Sequence, residues 1–146
     1  MNKKDYQVLQ RIDRSLRIFR RSGVYDRINT ALSDADIMVL FCVAFCDLSE
    51  QIMISDIAKV LKVTLPAVTH KVNELVKKKY VKKIQSRKDL RVVYIKLTEE
   101  GKAYVESIRD EYYRPIEVLA EHLGPEDTQT FIKLLDKVSE IGKIKA

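Results

Sequence analysis

The stretch ISDIAKVLKVTLPAVTHKVNELVKKKYVKKIQSRKDLRVVYIKLTEEG, residues 54–101, changes its hydrophobic pattern three times. Ser55 can cap a short helix through Asp56, with Ile57, Ala58 and Leu61 facing inward, before Lys62-Val63 interrupts it. Thr64 then caps a second helix whose Pro66 falls in the first turn, where a missing N–H does no harm. That helix buries Val68, Val72, Leu75 and Val76, and its other face shows Pro66, Thr69, His70, Asn73 and Lys77 as one small, polar, basic strip. After it, YVKKIQ and VVYIKLT flank the charged break SRKDLR, the pattern of a β-hairpin.

Outward from this stretch the chain reads as helix. Leu9, Ile12, Leu16 and Phe19 recur at the spacing of one helical face between Asp5 and Arg21. Ser33 or Asp34 can cap the run IMVLFCVAFC, which is apolar all round, as expected of a helix surrounded by others. Beyond the hairpin, Thr98 caps a long helix with Glu99 and Glu100 in its first turn, where carboxylates suit the helix dipole. It is expected to run to about Leu123, with a possible kink at Arg114-Pro115, before Gly124-Pro125-Glu126-Asp127 stops it and starts a last helix. The fold class expected is mainly α with a small β-hairpin (α+β), in one domain over residues 1–146.

Charge narrows the function. The 146 residues carry a formal net charge of +6, and residues 54–100 hold twelve basic and five acidic residues, so the excess sits in the middle of the chain. A local basic surface favours an anionic partner. The longest apolar run, Ile37 to Cys46, is too short to cross a bilayer, and the first residues, MNKKDYQ, show no apolar signal segment, so a soluble cytoplasmic protein is expected with no membrane partner. Two cysteines make no disulfide framework, and His70 and His122 have no zinc spacing, so no metal and no cofactor is expected. There is no Gly-rich phosphate loop and no Ser, Cys or His arrangement with a catalytic partner, which argues against an enzyme.

Helix, turn, helix and basic hairpin follow in the order of a winged helix-turn-helix, in which one helix enters the major groove and the hairpin reaches an adjoining groove. Within this order, Asp89-Leu90-Arg91 followed by Ile95-Lys96-Leu97-Thr98 and Gly101 resembles the wing motif of the multiple-antibiotic-resistance regulator (MarR) family, and the resemblance extends over the length and helix order. It implies a transcriptional regulator of double-stranded DNA, more often a repressor, with residues 34–98 as the DNA-binding core. It also implies a homodimer paired through residues 1–33 and 99–146, and a small phenolic or anionic ligand that relieves DNA binding. The apolar positions available for such pairing are Leu9, Ile12, Leu16, Ile116, Leu119, Leu123, Phe131, Leu134, Leu135 and Val138. The family commonly has Gly where Lys62 and Lys79 stand here, and Arg where Lys83 stands. A left-handed backbone at either Lys would cost on the order of 1 kcal/mol.

Individual residues then take roles. Asn73 can bond adenine N6 and N7 from the major groove, although exposed helical Asn is common in any case. Thr69 can bond a base or a phosphate, Thr64 can cap its helix and meet a phosphate, and His70 faces DNA rather than a metal. The resemblance puts Arg91 in a minor groove, with Asp89 restraining the hairpin; the same pair could simply satisfy the turn. Lys82, Lys83, Arg87 and Lys88 add phosphate contacts, while Lys77 to Lys79 can equally be a solvated helix end. Cys42 and Cys46 lie one helical turn apart, but burial in an apolar helix raises a thiol pKa and favours inert packing over oxidant sensing. Tyr6, Tyr25, Tyr112 and Tyr113 could line a ligand cavity, but aromatic residues at helical spacing are usually core or interface. The alternative function is a winged-helix module that binds a protein and has no operator. RNA is disfavoured because the strip lacks an aromatic platform.

Overall fold

The computed structural model describes residues 3–26, 30–45 and 51–142. Its elements, in chain order, are α1 (Lys3–Arg21), α2 (Asp34–Phe45), α3 (Ile54–Leu61), α4 (Leu65–Lys77), β1 (Val81–Gln85), β2 (Val93–Leu97) and α5 (Glu99–Ser139). They fall into two compact units, one drawn from Met1–Arg27 with Tyr112–Ala146 and the other from Ile28–Glu111.

The second unit is the winged helix-turn-helix. α2 packs on α3, α4 and β2, and α4 packs on β1. Leu40, Ile57, Val68, Val72, Leu75, Val81 and Ile95 are its fully buried side chains, each large one worth roughly 1.5–3 kcal/mol of transfer from water. Ser33 caps α2 by accepting the N–H of Asp36 on its hydroxyl at 3.2 Å. The all-round burial expected of this helix is not reached: Met38 and Phe45 are exposed.

α3 starts two residues earlier than a Ser55 cap allows. Met53 is the cap residue, with extended backbone, and Asp56 accepts its N–H at 2.9 Å. Asp56 therefore closes the first turn from the third helical position and does not follow a cap at Ser55. The antiparallel hairpin pairs Val81 with Leu97 and Gln85 with Val93, and Ile95 donates its N–H to the carbonyl of buried Ile52 at 2.8 Å. The segment before α3 thus fastens onto β2.

Both lysines at the family's glycine positions are left-handed, Lys62 at φ 54° and Lys79 at φ 64°. Val63 N–H reaches back to Ala58 and Tyr80 N–H to Leu75, so α3 and α4 both end in the turn that normally recruits glycine. The start of α5 is tied to the second of these turns. Thr98 donates its hydroxyl to the Lys79 carbonyl at 2.6 Å, donates its N–H to Tyr80, and accepts the N–H of Gly101 at 3.0 Å. A β-carbon on Gly101 would collide with the Tyr80 carbonyl, so this close approach needs glycine. The Tyr80 and Tyr104 rings, 4.9 Å apart, pack beside it.

In the first unit, α1 carries the apolar face seen in its periodicity, but Leu9, Ile12, Leu16 and Phe19 are all exposed. Leu134, Leu135 and Val138 are exposed as well, while Ile116, Leu119, Leu123 and Phe131 are half-buried. α5 runs through Pro115 without leaving helical geometry and breaks at Gly124, where φ is 80°. The stop therefore falls at Gly124, as expected, and the backbone stays helical at Arg114-Pro115. No helix among the described residues is long and apolar enough to cross a membrane.

Candidate nucleic-acid interface

α4 presents the strip read from its sequence. Val68, Val72 and Leu75 are buried against the unit's core, leaving Pro66, His70, Asn73 and Lys77 exposed and Thr69 half-buried on the other side. Thr64 is the cap, accepting the Ala67 N–H at 3.3 Å. Thr69 donates its hydroxyl to the Leu65 carbonyl at 2.9 Å, so what it has left for a partner is an acceptor, which suits a base amine better than a phosphate. His70 Nε2 lies 3.3 Å from Glu74 Oε1, and no group of three metal-ligating side chains exists among the described residues.

Asn73 is not an isolated side chain. Its Oδ1 accepts a hydrogen bond from Lys83 Nζ at 2.6 Å, joining α4 to β1. Lys83 is therefore not only a strand lysine aimed at solvent.

The wing tip is fixed by its own hydrogen bonds. Ser86 and Val92 close the loop at 2.8 Å, Ser86 Oγ accepts the N–H groups of Lys88 and Asp89, and Gln85 donates to the Leu90 carbonyl at 2.6 Å. Asp89 Oδ1 accepts both the Arg91 N–H at 3.0 Å and Arg91 Nε at 3.2 Å. Of the two readings of this pair, the geometry meets the turn and the restraint of Arg91 by Asp89. Asp89 closes the turn, and the Arg91 side chain it restrains is 91% exposed. Arg87 and Lys88, at the same tip, are exposed, and so is Lys82 toward the base of the hairpin. A groove of about 500 Å³ on the outer hairpin face, lined in part by Arg87, Lys88, Tyr94 and Lys96, adds to the basic surface.

A feature that sequence reading misses holds α4 in place. Asp36, on α2, is only 2% exposed, and its carboxylate lies 3.5 Å from both Lys71 and Lys78, with no closer hydrogen-bond partner for Oδ1 among the described residues. Burial pushes its pKa up, but the Ser33 hydrogen bond and the two ammonium charges outweigh burial and hold it below the usual aspartate value. Lys71 is shifted up, chiefly by its hydrogen bond to Glu74 and further by Asp36. Lys78 thus belongs to this cluster and Lys79 to the helix-ending turn, which leaves Lys77 as the one of the three on the exposed strip. Cys42 is half-buried, and Cys46 lies outside the described residues, as the sensing pair then does.

The comparison that decides the family is a match between residues 27–108 and the family described as transcriptional regulator SarA/Rot. The chain belongs to the SarA/Rot family. These are transcriptional regulators and not enzymes, in line with the missing catalytic motifs. The fold of this SarA/Rot-family chain is that of the MarR-type winged-helix regulators, as the wing motif led us to expect. Apo MarR from E. coli is 28% identical over 74% of this chain and 78% of that one, with a TM-score of 0.55. A MarR/EmrR family transcriptional regulator from Acinetobacter sp. ADP1 shares the fold at 19% identity, 98% and 99% coverage and a TM-score of 0.66. So does a mutant of E. coli MarR complexed with operator DNA, at 24% identity, 92% and 95% coverage and a TM-score of 0.64. No curated protein gives a match.

Proposed function

We propose that this SarA/Rot-family regulator is a homodimeric repressor that binds a pseudo-palindromic operator in double-stranded DNA, with α4 in the major groove and the wing in the flanking minor groove. One observation carries the reading: the strip on α4 and the Arg91 wing tip belong to one compact unit and are basic, and the carboxylates beside them, Asp89 and Glu74, are committed to Arg91 and to His70 and Lys71. Such a surface complements phosphates and leaves amide, imidazole and hydroxyl groups for base edges. The bound state of the E. coli MarR mutant, whose fold the chain shares, supports the same choice of partner.

In this reading Asn73 and Thr69 contact bases, Arg91 enters a narrow minor groove, and Thr64, Pro66, His70, Lys77, Lys82, Lys83, Arg87 and Lys88 pack on or neutralise the backbone. The exposed apolar side chains of α1 and of the end of α5 support pairing of two copies, which sets two α4 helices roughly 34 Å apart. Repression and release by a small phenolic or anionic ligand rest on the resemblance to MarR-family members, and action in the cytoplasm is the sequence expectation carried forward. The test is a pair of variants. Asn73→Ala should lose about 1–3 kcal/mol of discrimination at one base position per half-site, whereas Lys82→Ala weakens all sequences alike. Equal loss on every DNA for Asn73→Ala would remove that residue from readout.

A further inference from the structure

Lys83 holds Asn73 in a way that changes what the pair can read. An ammonium has donors only, so the Asn73 atom 2.6 Å from Lys83 Nζ has to be the carbonyl oxygen, and the amide N–H₂ is the end left for a partner. Bidentate reading of adenine needs both ends of that amide: Nδ2 donates to N7 while Oδ1 accepts from the N6 amine. Here Oδ1 already carries a charge-assisted bond, and an approaching N6–H would meet the ammonium, positive end against positive charge. Guanine presents two acceptors, O6 and N7, on the same edge. Donors from Asn73 Nδ2 and from the two remaining Lys83 N–H groups match both.

The surroundings keep the pair available. Asn73 and Lys83 are both exposed, and β1, which carries Lys83, packs on α4. Among the described residues Lys83 has no carboxylate within ion-pair distance, because Glu74, the nearest acidic residue in sequence to Asn73, is bonded to His70 and Lys71. No described carboxylate therefore neutralises the Lys83 charge.

We infer that Lys83 is a specificity-determining residue: by occupying the Asn73 carbonyl it makes the pair a donor-only reader that prefers guanine to adenine at one major-groove position of each half-site. The inference rests on the reading of α4 as the DNA-facing helix. It replaces both the adenine contact expected from Asn73 alone and the backbone contact given to Lys83 above.

Selection from random duplex DNA with the full chain tests it, using the unaltered protein, Asn73→Ala, Lys83→Met and Lys83→Arg. The unaltered protein should select guanine at the position that Asn73→Ala flattens. Lys83→Met should shift that position toward adenine, changing the guanine-to-adenine ratio by about tenfold and leaving other positions alone, and Lys83→Arg should keep guanine. A Lys83→Met protein that loses affinity for every sequence equally while keeping guanine would show Lys83 to be a phosphate contact and overturn the inference. Selection of adenine by the unaltered protein at the Asn73-sensitive position would overturn it as well. If Asn73→Ala flattens no position, the base-reading role of Asn73 fails first, and the inference with it.

Discussion

The carboxylate of Asp36, on α2, lies 3.5 Å from the ammonium of Lys71, on α4, in a part of the molecule where Asp36 is almost completely buried. A buried ion with a partner on α4 ties that helix to α2, and removing it leaves charge uncompensated. Asp36→Asn is expected to cost about 1.5–3 kcal/mol at neutral pH, measured by urea unfolding. Because the folded carboxyl titrates below its ordinary value of 3.8, the contribution is present above that value and is lost as pH falls through the folded pKa. The gap between variant and parent should therefore close on acidification. Lys71, shifted up, loses its share only as pH rises past its ordinary 10.5 and through its higher folded pKa. An unchanged gap across the acid range would show that the Asp36 charge contributes nothing.

Lys62 and Lys79 each hold a left-handed backbone that glycine adopts freely. The strain relieved exceeds the extra chain entropy glycine loses on folding, so Lys62→Gly and Lys79→Gly should each raise stability by roughly 0.5–1 kcal/mol. Denaturant midpoints that fall in both variants would contradict this account of the two helix ends.

Gly101 faces the Tyr80 carbonyl with no room for a side chain. Gly101→Ala should destabilise the protein by about 1–3 kcal/mol, since backbone must move to admit the methyl group. A thermal melt equal to the parent's would mean that the turn after α4 shifts freely.

The exposed apolar face of α1 predicts the assembly. At micromolar concentration the solution mass should be twice the 17.0 kDa of one chain, and Ile12→Asp with Leu16→Asp should return it to one chain. Operator affinity should fall with it, because two half-sites bound independently lose the gain of linkage. A monomeric parent would remove the dimer from the proposal.

Much of this was legible in the sequence, and the reason differs by element. α4 and the hairpin announce themselves through a period of 3.6 changing to 2, and Thr64, Gly124 and the Asp89–Arg91 turn act through neighbours in the chain, so local chemistry finds them. Asp36 looks like any carboxylate in a first helical turn, since its partners Lys71 and Lys78 come together with it only in the folded unit. The Asn73–Lys83 bond is hidden for the same reason, as it crosses from a helix to a strand. The Ser55 cap was misplaced because Asp56 fits both a helix beginning near it and one begun at Ile54, and the Met53 backbone decides. Polar periodicity finds which residues share the exposed strip of α4, but not that Thr69 spends its proton on Leu65.

The central claim is sequence-specific binding by a two-fold-symmetric dimer, and the most direct measurement is the affinity of the purified protein for the best duplex selected from random DNA, against a scrambled duplex, at two salt concentrations. A pseudo-palindromic winner is expected, preferred by about a thousandfold or more, with the preference surviving at the higher salt. Binding that selects no sequence and vanishes as salt rises would contradict it, leaving only the attraction of a basic surface for phosphate.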